Sequence, residues 1–332
     1  MFELPLSWKA RDLSRARTRY EWNQRFVHWE RPASTSEEAT IYRATRMIRT
    51  ALAGREMLGR PFVEVSAQGS YFNNTNTRIE SDMDIRVDWL NTFLTVTDGR
   101  LSTEQANAAL GYIGTGRSIT VDAAEHRERV CQALCDAFGA DQVKPGTKAL
   151  RLKAVPGSRA PADVVPTIRC VYAVPKGLGL LSLVPREIEG VAIIEPDGSC
   201  TINFPSQHHS VGKLKHEDTR RRYKKAVRIL KVLRDELIDL GCLQKGQAPS
   251  FLIECLVNAV PVWDFLVDED RYDRVRRALA AIADLLSSPA YLDMREVNGI
   301  KPLFAPFLGR PQPWAVEDAR RFVALAWARL EV

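Results

Sequence analysis

Residues 68–88 read QGSYFNNTNTRIESDMDIRVD, and this stretch restricts the fold more than any other part of the chain. In Ser81-Asp82-Met83-Asp84-Ile85-Arg86-Val87 apolar residues alternate with polar ones, the pattern of a half-buried β-strand. Successive strand side chains point to opposite faces, so Asp82 and Asp84 share one face while Met83, Ile85 and Val87 enter a core. Carboxylates fixed on a rigid strand are suited to holding a divalent metal. Upstream, Phe62-Val63-Glu64-Val65 predicts a second strand that runs into the turn Gln68-Gly69-Ser70. Glycine permits a sharp turn, and the residues after it are expected to open a short helix whose N–H groups, with the Ser70 hydroxyl, can hold a phosphate. A Gly-Ser turn or an Asp-x-Asp pair alone is common. Together, with Asp82 twelve residues after Ser70, they put metal ligands and a phosphate cradle at one end of a sheet.

At 332 residues, 45% of them hydrophobic, the chain is long enough for two domains with cores of their own. It contains no run of 18 apolar residues, and its charged, broken N-terminus does not read as a signal peptide, which predicts a cytoplasmic protein with no membrane association. The six cysteines form no C-x-x-C pair and the five histidines no ligand set, so a structural zinc is not expected. A net charge of +6 and a pI near 9.0 suit either nucleic acid or polyphosphate ligands and do not choose between them.

A long helix is predicted over 35–58, followed by the two signature strands. Helices near 103–111 and 122–138 and strands near 149–154, 162–166 and 191–194 come next. Strands and helices alternate to about residue 205, as a mixed α/β layer requires. Beyond it, 217–240, 250–258, 270–287 and 315–331 carry helical periodicity, with Pro and Gly at the breaks. The expected domains are thus 1–205, an α/β core with N-terminal helices, and 206–332, a helical domain. Residues 201–213 are read as a polar connecting loop offering Asn203, Gln207, His208 and His209 to bases.

Two-metal phosphoryl transfer calls for a third carboxylate. Asp163, the one charged side chain in the apolar run Pro161-Ala162-Asp163-Val164-Val165-Pro166, is the candidate, since an isolated buried charge would otherwise be costly. Asp88 shares the face of Asp84 but lies roughly 13 Å further along the strand, and is read as a solvated strand end. In the helical half, Tyr223, Val227 and Leu230 form an apolar stripe flanked by eight basic residues between 220 and 234. Ser250 follows Pro249 at a helix start, where it can cap the helix or meet a phosphate.

A glycine, a serine, a spacer and an Asp-hydrophobic-Asp-hydrophobic pattern resemble the nucleotidyltransferase superfamily related to DNA polymerase beta. The combination Q-G-S-Y-x-N-N-T-N, S-D-x-D-I, K-x-x-x-T-R-R-x-x-K-x-x-V-R-I-L-K and P-S-F-L-I-E narrows this, over about residues 35–290, to a resemblance to the CD-NTases. These are bacterial cyclic-oligonucleotide synthases related to cyclic GMP-AMP synthase. The resemblance implies a polymerase-beta-like core, a mixed sheet with helices, plus a C-terminal helical domain that closes a nucleotide cleft. It implies an enzyme that joins nucleoside triphosphates, ATP among them, into a cyclic di- or trinucleotide second messenger and releases pyrophosphate. By the same resemblance Asp82, Asp84 and Asp163 hold two Mg²⁺ or Mn²⁺ ions per active site, and Gln68, Gly69 and Ser70 bind the donor triphosphate. Lys231 and Ser250 match the residues that hold the triphosphate tail, with Lys213, Lys224 and Lys225 as nearby substitutes for the lysine, and Phe251 stands where it would stack on a base or join the core. The family implies a place in anti-phage (CBASS) signalling, a separate effector for the product, and in some members conjugation of the C-terminus or an activating partner. Rival readings keep the core but make a linear product, transfer a nucleotide elsewhere, or leave a nucleic-acid binding module with an inactive core.

Overall fold

The structure is a computed structural model, described for residues 17–32, 34–77, 83–113, 116–155, 159–175, 185–267 and 269–331. Asp82 lies outside the described residues. By contacts the chain divides into two compact units. One holds the described residues of 34–72 and 80–206, the other those of 1–33, 73–79 and 207–332. The N-terminal segment and the short stretch 73–77 therefore belong with the C-terminal helices rather than with the α/β core in which the sequence reading put them.

The α/β unit contains α2 (Thr35–Ala53), β1 (Val63–Gln68), α3 (Gly69–Phe72), β2 (Met83–Thr97), α4 (Thr103–Leu110) and α5 (Ile119–Phe138). It continues through β3 (Val143–Pro145), β4 (Leu150–Leu152), β5 (Ala162–Pro175), β6 (Pro185–Ile194) and β7 (Cys200–Asn203). The seven strands form one mixed sheet in the order β1-β2-β5-β4-β3, with β6 pairing the second half of β5 and β7 pairing β6. Among the described residues only β2 and β5 run parallel; the other pairs are antiparallel. The predicted alternation places Met83, Ile85 and Val87 at 1% exposure or less, packed with Ile48 and Leu52 of α2 and Val130 and Leu134 of α5. Those two helices cover one sheet face, and burial of their apolar stripes drives the layer together. β2 and β5 extend well beyond the expected strands, and a register shift between Trp89 and Phe93 lets β2 continue past the site.

The helical unit contains α1 (Arg19–Trp29), most of α6 (Pro205–Asp218), α7 (Tyr223–Asp239), α8 (Ser250–Ala259), α9 (Val262–Leu266), α10 (Arg271–Ser287) and α11 (Val316–Arg329). Tyr223, Val227 and Leu230 are fully buried in its core, as their stripe predicts, and Val323, Trp327 and Leu330 pack into the same core. Two expectations need correction. The helix read over 217–240 is two helices, separated where Arg220 and Arg221 adopt φ of 50° and 63°. The polar loop read over 201–213 is β7 followed by α6, with Pro205 at the first helical position, where its missing N–H costs no hydrogen bond. No helix among the described residues is long and apolar enough to cross a membrane.

Candidate active site

β1 ends at Gln68, and α3 starts at the next residue because Gly69 takes φ +74°, a left-handed conformation that glycine adopts without strain. The turn is also crowded. A Cβ added at Gly69 would overlap Asp84 Oδ2 and sit 2.9 Å from its Cγ. Glycine at 69 thus lets the backbone that opens α3 lie directly against the Asp84 carboxylate.

Register carries the site across the sheet. Gln68 pairs with Asp84, Asp84 with Asp163, Asp163 with Arg151, and Arg151 with Lys144. Residues paired across strands share a face, and neighbouring strands are about 4.8 Å apart. Asp84 and Asp163 are therefore adjacent carboxylates on the face opposite the buried Met83 and Ile85. Both are partly exposed, which leaves them reachable. Arg151 closes the row from β4, with Nε donating to Asp163 Oδ1 at 3.0 Å and Nη2 to Oδ2 at 3.4 Å.

Two hard oxygen donors one strand apart, beside a glycine turn, fit a divalent cation of the magnesium or manganese type. Among the described residues no three His, Cys, Asp or Glu side chains are grouped to hold a metal, and Asp82, the remaining carboxylate of the motif, falls outside them.

Asp88 departs from the expectation of a solvated strand end. It is 5% exposed, pairs with Arg86 at 2.5 Å and accepts a hydrogen bond from the Thr167 hydroxyl. Burial raises its carboxyl pKa, against the opposing pull of Arg86 and Thr167. On the helix-covered side His126 donates from Nε2 to the Val87 carbonyl at 2.9 Å and stacks on Trp89, and burial pushes its pKa down to about 4.

In the helical unit the candidates stand apart in character. Lys231 is 0% exposed, with Nζ donating to the Thr75 carbonyl at 2.9 Å. Ser250 opens α8, and its hydroxyl accepts from Arg234 Nη2 at 3.3 Å. Phe251 stacks on Trp314 with centroids 5.5 Å apart and lies tilted against His208, packed on the unit's core. Of the substitute lysines, Lys224 is buried, Lys225 pairs with Glu30 at 3.3 Å and Lys213 is exposed. His208, expected to face a base, is buried and donates to Glu254 at 2.9 Å, while His209 Nδ1 lies 3.2 Å from Asn73 Oδ1.

Arg151 and Arg234 were not singled out in the sequence. For Arg151 the signal is the alternation Leu150-Arg151-Leu152, whose two leucines are buried. For Arg234 the partners Ala248 O and Ser250 come from another helix start, and no local pattern shows them.

Residues 210–331 match the family described as the cGAS/DncV-like nucleotidyltransferase C-terminal helical domain. The chain is 32% identical to the cyclic dipyrimidine nucleotide synthase CdnE of Legionella pneumophila, covering 94% of this chain and 98% of the relative. It is also 32% identical to the cyclic dipurine nucleotide synthase of Elizabethkingia meningoseptica, covering 92% and 96%. Among solved structures, the Rhodothermus marinus CdnE c-UMP-AMP synthase with Apcpp and Upnpp aligns at a TM-score of 0.72 and 27% identity, covering 94% of this chain and 95% of that one. With an α/β core, a helical C-terminal domain and near full-length relatives at this identity, the chain belongs to the CD-NTase family of nucleotidyltransferases, the cyclic-oligonucleotide synthases.

Proposed function

We propose that this enzyme joins two nucleoside triphosphates into a cyclic dinucleotide second messenger within anti-phage CBASS signalling, where a separate effector answers to the product. The observation that carries the chemistry is the register of Asp84 beside Asp163, with Gly69 set against Asp84. Synthesis takes place in the cytoplasm, where the substrates are.

Asp82, Asp84 and Asp163 would hold the divalent ions, two per site, Mg²⁺ or Mn²⁺. When bound, such ions offset charge on the attacking and leaving oxygens of an in-line displacement. Gln68, Gly69 and Ser70, with the first turn of α3, receive the donor phosphates through N–H and hydroxyl donors. Asp163 takes the proton of the acceptor 3′- or 2′-hydroxyl as its oxygen bonds to the α-phosphorus. The α–β phosphoanhydride bond breaks and pyrophosphate leaves. A second transfer closes the ring. Arg151 is the resting partner of Asp163 and yields it when the site fills. Ser250, with Arg234 behind its hydroxyl, steadies the triphosphate tail. The burial of Phe251 between Trp314 and His208 favours a core role over base stacking.

The relatives are named for dipyrimidine, dipurine and UMP-AMP products, so base choice divides within this family at about this level of identity. The test is incubation of the protein with the four ribonucleoside triphosphates and Mg²⁺ or Mn²⁺, then phosphatase treatment and mass spectrometry, beside Asp84→Asn. A phosphatase-resistant cyclic species absent from the variant supports the reading and names the bases. A linear product, or a nucleotide attached to another acceptor, sinks ring closure.

A further inference from the structure

The helical unit buries more charge than its fold requires. Lys231 is 0% exposed, Arg228 and Glu254 are each 4% exposed, and His208 is nearly as deep. Taking such groups out of water is costly unless their hydrogen bonds are fully met. Here they converge on one short segment, Asn73-Asn74-Thr75-Asn76-Thr77. Arg228 Nη1 donates to the Asn74 carbonyl and its Nε to the Glu30 carbonyl at 2.8 Å. Lys231 donates to the Thr75 carbonyl. The Thr75 hydroxyl donates to Glu254 Oε2 at 2.9 Å, and His208 donates to Oε1 of the same carboxylate. Thr75, Asn76 and Thr77 are themselves buried, at 0–2% exposure.

The position of this segment in the chain gives the cluster its meaning. Phe72 ends α3, the helix of the phosphate cradle, and β2 with Asp84 begins at Met83. Residues 73–77 therefore join the cradle to the carboxylate strand. Two of the four anchors grip backbone carbonyls, which fixes the path of the chain itself.

We propose that Lys231, Arg228, Glu254 and His208 are positioning residues that clamp residues 73–77 and so set the cradle helix α3 for reaction. The effect on turnover rests on the synthase reading above; the clamp itself does not. A 1 Å misplacement of a phosphate-holding element is enough to cost about 100-fold in rate.

The test compares Thr75→Val, which keeps shape but loses the donor to Glu254, with Thr75→Ser, which keeps it, and with Lys231→Met. All are made in the full chain. Hydrogen exchange is measured first, without nucleotide. Amides of 70–77 should exchange at least about tenfold faster in Thr75→Val and Lys231→Met and near the wild-type rate in Thr75→Ser. In turnover assays Thr75→Val should lose about 10- to 100-fold in kcat with KM within about threefold. Unchanged exchange of 70–77 in folded Thr75→Val overturns the clamp, even if Lys231→Met does not fold. A raised KM with intact kcat in Thr75→Val would place its effect in substrate binding and overturn the positioning role. If the wild type yields no cyclic product, the synthase reading fails alone and the exchange comparison still decides the clamp.

Discussion

The sheet presents Asp84 and Asp163 side by side and partly exposed, whereas the helical unit sinks Glu254, Lys231 and Arg228 to 4% exposure or less. In the first region like charges are adjacent, and Asp163 pairs with the solvent-exposed Arg151. In the second, opposite charges and backbone carbonyls saturate one another. Burial of Glu254 opposes its ionisation, yet His208, Lys231 and the Thr75 hydroxyl together hold its carboxyl below the usual range. The contrast separates two uses of charge. The carboxylates proposed to accept a ligand stay partly exposed, while the buried charges are met by opposite charges and backbone carbonyls.

Five changes test that division, beginning with the largest effect. Asp84→Asn and Asp163→Asn should each lower synthesis at least about 10³-fold, in the range of losing a principal electrostatic group. Their folding free energies, measured by urea titration, should move by no more than about 0.5 kcal/mol. Glu254→Ala should do the reverse in stability and cost about 3–5 kcal/mol, because it strands His208 and Lys231 without their carboxylate. Similar losses for all three variants would erase the distinction.

His126 supplies a buried counterpart on the sheet's helix-covered side. Its folded pKa is about 4 against 6.5 in the unfolded chain, so the unfolded chain takes the proton first. Its contribution is fully present above pH 6.5 and declines as pH falls toward 4, by about 3 kcal/mol across the window. His126→Gln, which keeps a donor for the Val87 carbonyl, should show a flatter decline in denaturant titrations at stepped pH. The smallest effect belongs to Arg151→Gln. An exposed ion pair is worth about 0–1 kcal/mol, so stability should hardly change. Removing the guanidinium from Asp163 should tighten Mn²⁺ binding by up to about fivefold, read by electron paramagnetic resonance.

Much of the sheet site could be read from the chain because its determinants are local. Period-two alternation fixed which way Met83, Asp84 and Ile85 point, and a glycine between a strand and a polar stretch announced the turn. The same logic found Asp163 as a lone charge in an apolar run. The clamp was hidden because its partners are distant: Lys231 meets Thr75 across 156 positions, and the stripe Tyr223-Val227-Leu230 gives no reason to bury the lysine next to it. The break after α6 was equally silent, since arginine at positive φ carries no glycine or proline signal. Asp88 was misread because the strand was expected to end there, while β2 runs on to Thr97 and the carboxylate finds Thr167 on β5. Helix α1 carried a usable signal, a capping box between Thr18 and Glu21, in a segment read only as charged and broken.

The interleaving of the chain bears on engineering. A chimera cut near residue 206, where strands give way to helices, would carry α7 and α8 into a foreign host without residues 73–77 or Glu30. Arg228, Lys231 and Glu254 would then meet whatever backbone the host supplies. The smallest exchangeable cassette is discontinuous, and grafts that move 17–32 and 73–77 together with 207–331 should express as folded protein where the simple fusion aggregates.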